Sequence, residues 1–406
     1  MEQMKPDPSL CVKCQGRGWC GKSCPILARF STIGKIKTHF SGSSPPEIFV
    51  GKHGYPEVNT GILSPQEHGN TEDFSTPEKW HEKNFSIANI LRLRGKLIYA
   101  RFKSQIKSTE NNKFLGIMQE ISMADAPVST EIELKKAPAQ NLNINKESPI
   151  IGNPAPLKFA RLEENPHVPK KIDYLVADTE AKSQVALSEL YKSSIPISNI
   201  IKVLSAGLLG KKQNRRLVPT RWAITATDDT LSKQLLGKIR YYPEISQVLL
   251  FNSYYLGNHY EFLLLPDKFS FEVMEARIPG NVWNMNGELY LAIDYEGFSG
   301  RKTYADIVTG AYYSNRLALC EYLEKIKHQA SCLVMREVRP EYYAPCGVGI
   351  LREASRAAFS KQPEVFPTIQ EALEKAQTRM KLKTEVFTNS SWLMKNYGKQ
   401  KRLNQF

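Results

Sequence analysis

Apolar residues recur along this chain at two spacings, and the spacing changes where the element type changes. From Ser86 to Tyr99 the positions Ile87, Ile90, Leu91 and Ile98 follow a helical period, interrupted by Gly95. Ser198 is placed to cap a short helix through Leu204 that Gly207 ends, since a serine oxygen accepts an orphan N–H and glycine takes the left-handed turn cheaply. From Tyr304 onward, Ala305, Val308, Tyr312, Leu319, Leu323 and Ile326 form one face of a long amphipathic helix. The runs Val248 to Phe251 and Tyr260 to Leu265 read as strands joined around Gly257-Asn258, and Asn286 to Ile293 and Cys332 to Val338 as two more. Prolines crowd residues 43–80 and 135–170, which predicts short strands and loops in the first stretch and a long surface connection in the second. No repeat and no sustained heptad appears. The pattern predicts an α+β, mixed multi-domain protein, in keeping with 406 residues at the usual ~150 per domain.

Composition narrows the class. A formal charge of +14 favours polyanionic partners, because basic side chains that neutralise phosphates release condensed counterions. Nucleic acid is the leading candidate, with a membrane surface behind it; DNA is preferred to RNA only on the terminal peptide described below. The first ten residues carry Lys5, Asp7 and two prolines with no apolar stretch after them, and no run is long enough to span a bilayer. The expectation is a cytoplasmic, nucleoid-associated protein with no membrane partner. That compartment is reducing, so seven cysteines call for metal binding or burial rather than disulfides.

Four of them, Cys11, Cys14, Cys20 and Cys24, are spaced C-x2-C-x5-C-x3-C, so two short thiolate-bearing turns can close on one tetrahedral ion. Structural zinc is the expected occupant; an iron–sulfur cluster or four merely buried thiols are the alternatives. Residues 1–30 therefore read as a zinc-knuckle module. Gly16 to Gly21 also match G-x-G-x-x-G, but no strand precedes them and no helix with a downstream acidic partner follows, so dinucleotide binding is set aside. Lys13, Arg17, Trp19 and Lys22 put charge and one ring on the knuckle, as phosphate and base contacts need or as plain solubility would. Cys320, Cys332 and Cys346 lack pairing and read as core thiols.

The chain ends Gln400-Lys401-Arg402-Leu403-Asn404-Gln405-Phe406, which fits Q-x-x-[LIM]-x-x-[FY]. One tight helical turn puts Leu403 and Phe406 on one face, able to enter an apolar groove while Gln400 hydrogen-bonds beside it. This is the chemistry of a peptide that docks on the sliding clamp (PCNA), although the usual box ends in two aromatics and this one stops at Phe406. Lys395, Lys399, Lys401 and Arg402 suit encounter with an acidic surface.

A catalytic centre is harder to find. Asp228 and Asp229, Glu272 and Glu275, and Asp294 with Glu296 near Arg301-Lys302 offer carboxylates of the kind that hold Mg²⁺ in nucleases. Helix capping and pairing with arginines are the competing roles. His68, His81 and His328 have no ligand-spaced partner, and no nucleophile elbow is present. The catalytic residues stay unknown, with a Mg-dependent nuclease as the enzyme alternative and an RNA-processing factor as a second alternative.

Several blocks resemble those of the archaeal Nre family: Pro46 to Gly51, Gly54-Tyr55-Pro56, Leu217 to Trp222, Ile224-Thr225-Ala226, Asp228-Asp229 and Tyr343 to Val348. With the cysteines and the tail, the resemblance spans nearly the whole chain. It implies a DNA damage repair protein that meets the sliding clamp through Gln400, Leu403 and Phe406 and holds metal through Cys11, Cys14, Cys20 and Cys24. It also implies a division into an N-terminal α/β region over 31–284, a C-terminal domain over 285–392 and a tail over 393–406. It supplies no reaction.

Overall fold

The computed structural model describes residues 37–107, 112–138, 151–285 and 287–399. Cys11, Cys14, Cys20 and Cys24, and the terminal residues Gln400, Leu403 and Phe406, lie outside the described residues. Both compact units mix helix and strand, and each contains a six-stranded sheet. Packing divides the chain between Leu231 and Ser232.

The N-terminal unit is built on strands β1 (His39–Ser44), β2 (Ile48–Val50), β3 (Glu57–Ser64), β4 (Ile98–Gln105), β5 (Val128–Leu134) and β6 (Asn153–Leu162), in the spatial order β1-β5-β6-β4-β3-β2. All pairs are antiparallel except β4 with β6. Helices α1 (Pro77–Glu82), α2 (Ile87–Lys96), α3 (Lys113–Met123), α4 (Lys170–Ala177), α5 (Ser183–Lys192) and α6 (Ile197–Ser205) surround it. Leu115, Met118 and Ile121 of α3 pack with Ile62, Ala100, Ile132 and Ala155 of the sheet. A smaller cluster gathers Leu63, Phe74, Leu97 and Tyr99. Burying such side chains contributes roughly 1.5–3 kcal/mol each.

Three expectations fail here for instructive reasons. The helix read over Ser86 to Tyr99 ends at Lys96, because Ile98 and Tyr99 already belong to β4; its start is as expected, with Ser86 and Asn89 forming a reciprocal capping box. The proline-rich stretch read as a surface connection contains β6, an interior strand. Asn153 donates its N–H to Leu97 O on the β4 side, so by strand alternation Pro154 and Pro156 turn toward β5. The β5 ladder begins only at Leu157, and Pro156 is used there as an acceptor for the Lys135 N–H, so the missing donors are not needed. Similarly, Ser198 does not cap α6: its backbone N–H is taken by the Glu78 carboxylate and Pro196 holds the N-cap position, while Gly207 (φ +76°) ends the helix region as expected.

Helix α7 (Thr220–Ile239) carries the chain into the C-terminal unit, where β7 (Val248–Tyr255), β8 (Asn258–Leu265), β9 (Ser270–Arg277), β10 (Tyr290–Glu296), β11 (Ser331–Val338) and β12 (Glu364–Phe366) take the order β10-β9-β11-β8-β7-β12. Leu256 and Gly257, both at positive φ, close the β7–β8 hairpin. Strands β9 and β11 run parallel. One face is covered by α8 (Gly310–Ile326) and α9 (Val348–Phe359), the other by α10 (Ile369–Gln377), α11 (Glu385–Thr388) and α12 (Trp392–Asn396). On the first face Phe251, Phe262 and Phe271 meet Tyr322, Phe359 and Tyr312 with ring centroids 4.8–5.1 Å apart. On the second, Leu263, Met274, Leu333 and Met335 meet Ala372, Ala376, Phe387 and Leu393. The long helix read from Tyr304 starts at Gly310, and the strand read over Asn286 to Ile293 is β10, shifted toward the C-terminus. Strands β8 and β9 both pair with β11, so residues 258–277 are part of this sheet.

Carboxylates tie the edge strand β1 in place. Glu131 accepts from His39 at 2.6 Å and is also engaged by Arg161; Glu163 accepts from Ser41 and, at 2.8 Å, from Ser129. The His39 bond and then Arg161 hold Glu131 below its ordinary value of 4.5, and the two serine hydroxyls do the same for Glu163. A carboxyl whose pKa is depressed in the fold adds stability above its unfolded pKa and loses it as pH falls through the folded one. Thermal unfolding is therefore expected at falling temperature as the pH is lowered through and below the ordinary carboxylate value of 4.5. Glu163→Gln should flatten that dependence; an unchanged acid slope in the variant would contradict this role.

Candidate functional site

The carboxylates that the sequence offered as metal ligands are buried, and the sheet sorts them apart. Glu272 and Glu275 lie three residues apart on β9 and so face opposite sides, while Asp294 and Glu296 of β10 share the side of Glu275. Each has its own donors. Glu272 accepts from the Trp392 and Leu393 N–H groups at 2.8 and 2.9 Å and from the Ser391 hydroxyl, which fastens the start of α12. Asp294 accepts the Ile307 and Val308 N–H groups at 3.1 and 2.7 Å and pairs with Arg301 at 3.0 Å. Glu296 pairs with Arg316 at 3.0 Å and takes the Arg301 N–H at 3.1 Å. Glu275 binds Arg336 and, at 2.7 Å, Arg277. Asp228 and Asp229 sit on α7 in the other unit, where Asp228 is buried and neither is free. Among the described residues no group of three or more His, Cys, Asp or Glu side chains is placed to hold a metal ion. These acids anchor elements; they do not converge.

The Glu275 contacts lead to a cluster that sequence spacing gave no sign of. At the carboxyl ends of the parallel strands β9 and β11, the fully buried Arg336 lies between the Tyr260 and Trp283 rings, with its guanidinium 5.5 Å from each centroid. It donates to Asn258 Oδ1 at 2.5 Å as well as to Glu275. Burial works against this charge, but Tyr260 and Glu275 beside it keep the arginine pKa above its usual value. Burial pushes the Tyr260 and Tyr342 hydroxyls up. Tyr342 accepts the Cys346 N–H at 3.0 Å, which shapes the Tyr343 to Val348 block as it enters α9. At the rim, Arg277 lies over both Trp283 (5.5 Å) and the half-exposed Tyr290 (5.2 Å). Such a cluster is a charge-assisted structural core with a stacking, cationic rim.

Cys320, Cys332 and Cys346 are buried free thiols, as read from sequence. Burial pushes Cys320 and Cys332 well up, so both stay protonated and inert. His328 Nδ1 lies 2.7 Å from Ile326 O, and burial lowers the pKa of the half-buried His81. The N-terminal blocks singled out by the resemblance come together: the Val50 N–H donates to Thr220 Oγ1, the Ile106 N–H to Pro56 O and the Leu217 N–H to Ile106 O.

Comparison with known proteins places these blocks. A model described as "Archaeal Nre, N-terminal" matches residues 19–284, and "Archaeal Nre, C-terminal" matches 296–406. The chain belongs to the Nre family. Relatives of this Nre protein include DNA repair protein NreB of Archaeoglobus fulgidus, 36% identical over 98% of this chain and 99% of that one. DNA repair protein NreA of Haloferax volcanii is 37% identical over 78% and 77% of the two chains. DNA repair protein NreA of Archaeoglobus fulgidus is 34% identical over 92% and 94%. No solved structure matches this Nre chain at a significant level.

Replacing Glu296 by Ala leaves Arg316 buried without its carboxylate, a loss on the order of 3–5 kcal/mol. The expected result is a fall of several degrees or more in the unfolding temperature. A Glu296→Ala protein of unchanged stability would return the carboxylate to the list of candidates for chemistry.

Proposed function

We propose that this Nre chain is a DNA damage repair factor that the sliding clamp (PCNA) recruits through Gln400, Leu403 and Phe406, that it binds DNA directly, and that Cys11, Cys14, Cys20 and Cys24 hold one structural zinc. The observation that carries the recruitment reading is the tether behind the peptide. Glu272 caps the start of α12 through two backbone N–H groups and Ser391, and Tyr295 stacks on Trp392 with centroids 4.6 Å apart. The clamp motif thus begins four residues after a helix fastened to the sheet. The formal charge of +14 supports a polyanionic partner, and the relatives are named DNA repair proteins. A metal-dependent nuclease would need carboxylates open to a metal, whereas Glu272, Glu275, Asp294 and Glu296 are filled by donors.

Calorimetric titration with the cognate clamp tests recruitment. Heat is expected from the full chain and none from a variant lacking Gln400 through Phe406; equal heats from both would overturn the assignment. Metal analysis of the purified chain is expected to return one zinc, lost on Cys14→Ser. Iron, or no metal, would remove the zinc reading.

A further inference from the structure

In the N-terminal unit two large rings stand open to solvent side by side. Tyr55 is 45% and Trp222 47% exposed, and their centroids lie 5.4 Å apart. Two half-exposed rings in contact form a small apolar surface able to take a flat ligand. Their positions are fixed by backbone rather than by each other. The Ile106 N–H donates to Pro56 O at 3.0 Å and the Leu217 N–H to Ile106 O at 2.8 Å, so the Tyr55 turn and the segment leading to Trp222 are laced to the same strand end. From the other side the Val50 N–H donates to Thr220 Oγ1 at 2.9 Å, and Thr220 Oγ1 meets Ser205 Oγ at 3.1 Å. Gly54, at φ +83°, makes the turn possible: a Cβ there would come within 2.7 Å of Glu57 O.

Basic residues predominate in the flanking sequence: exposed Lys107 directly follows Ile106, exposed Arg216 directly precedes Leu217, Arg221 directly precedes Trp222 and Lys52 lies three residues before Tyr55. The nearest carboxylate along the chain, Glu57, is already paired with Lys103 at 2.9 Å. Rigid rings with cations on their flanks are what a chain of phosphates carrying unstacked bases requires: every base has a π-face to lay on a ring, and the cations follow the backbone. A duplex hides those faces inside its own stack, so the rings gain nothing from it.

We propose that the Tyr55–Trp222 surface binds single-stranded DNA by stacking unpaired bases on the two rings, with Lys107 and Arg216 on the phosphates; this rests on the reading of the chain as a DNA-binding repair factor. The test is fluorescence anisotropy of the full-length protein with a labelled deoxyoligonucleotide, the same sequence as a duplex, and the same sequence as RNA. The single strand is expected to bind more tightly than the duplex. Trp222→Ala should weaken it roughly five-fold or more, as stacking of about 1–3 kcal/mol per base implies, while Trp222→Phe retains most of the affinity. Tyr174→Ala, which removes a 63% exposed ring elsewhere in the unit, serves as the control and should change nothing. Lys107→Ala with Arg216→Ala should lower the salt dependence of single-strand binding. Equal affinity of the wild-type and Trp222→Ala proteins for the single strand, or a duplex bound as tightly, overturns the stacking site while leaving DNA binding in place. Failure to bind any DNA overturns both readings, and a clear preference for the RNA strand overturns the DNA assignment.

Discussion

A carboxylate carried into the middle of a sheet must find hydrogen-bond donors, because an unpaired buried charge costs several kcal/mol. In the C-terminal unit that requirement organises the chain. Glu272 draws in α12, Asp294 holds the segment 307–308 that leads into α8, Glu296 fixes Arg316 of α8, and Glu275 joins β9 to β11 through Arg336. Glu261 and Glu337 do likewise with Arg379 and with the Leu382 N–H. Apart from Glu275 with Arg336, which joins two strands, each pair links the sheet to a segment outside it. The helices on both faces are therefore positioned by charge-assisted hydrogen bonds as well as by the aromatic and aliphatic packing around them.

This use of acidic residues changes how the function is argued. Paired carboxylates in sequence invite a metal-centre reading, but strand alternation places Glu272 and Glu275 on opposite faces and arginines occupy the rest. What the folded chain presents outward is instead aromatic and cationic: the Arg277, Trp283 and Tyr290 rim in one unit and the Tyr55 and Trp222 pair in the other. The chain belongs to a family whose relatives are named DNA repair proteins.

Much of the architecture was legible along the chain because local rules fix it. The helix beginning at Ser86, the two strands joined around Gly257-Asn258, the strand over Cys332 to Val338 and the core thiols all follow from spacing and residue type. The family resemblance was legible too, from short blocks of which those in the N-terminal unit proved to be neighbours in space. Other features depend on partners that sequence distance conceals. Pro154 and Pro156 look like loop residues until β4 and β5 are in place, when only the side lacking donors turns out to need none. Ser198 looks like a cap until Glu78, far earlier in the chain, takes its N–H.

By itself, then, the sequence determined the mixed α and β character, the family, the basic charge, and the cysteine and tail motifs as candidates for zinc and clamp binding. These reside in periodicity, composition and short-range spacing, which survive without a fold. Only the tertiary structure decided that the acidic pairs are internal clamps, that Arg336 lies between two rings, and that Tyr55 and Trp222 share one exposed surface. The reason is physical: burial, charge pairing and ring contact depend on distances between residues far apart in the chain, and those distances exist only once the sheets have closed and the helices have packed.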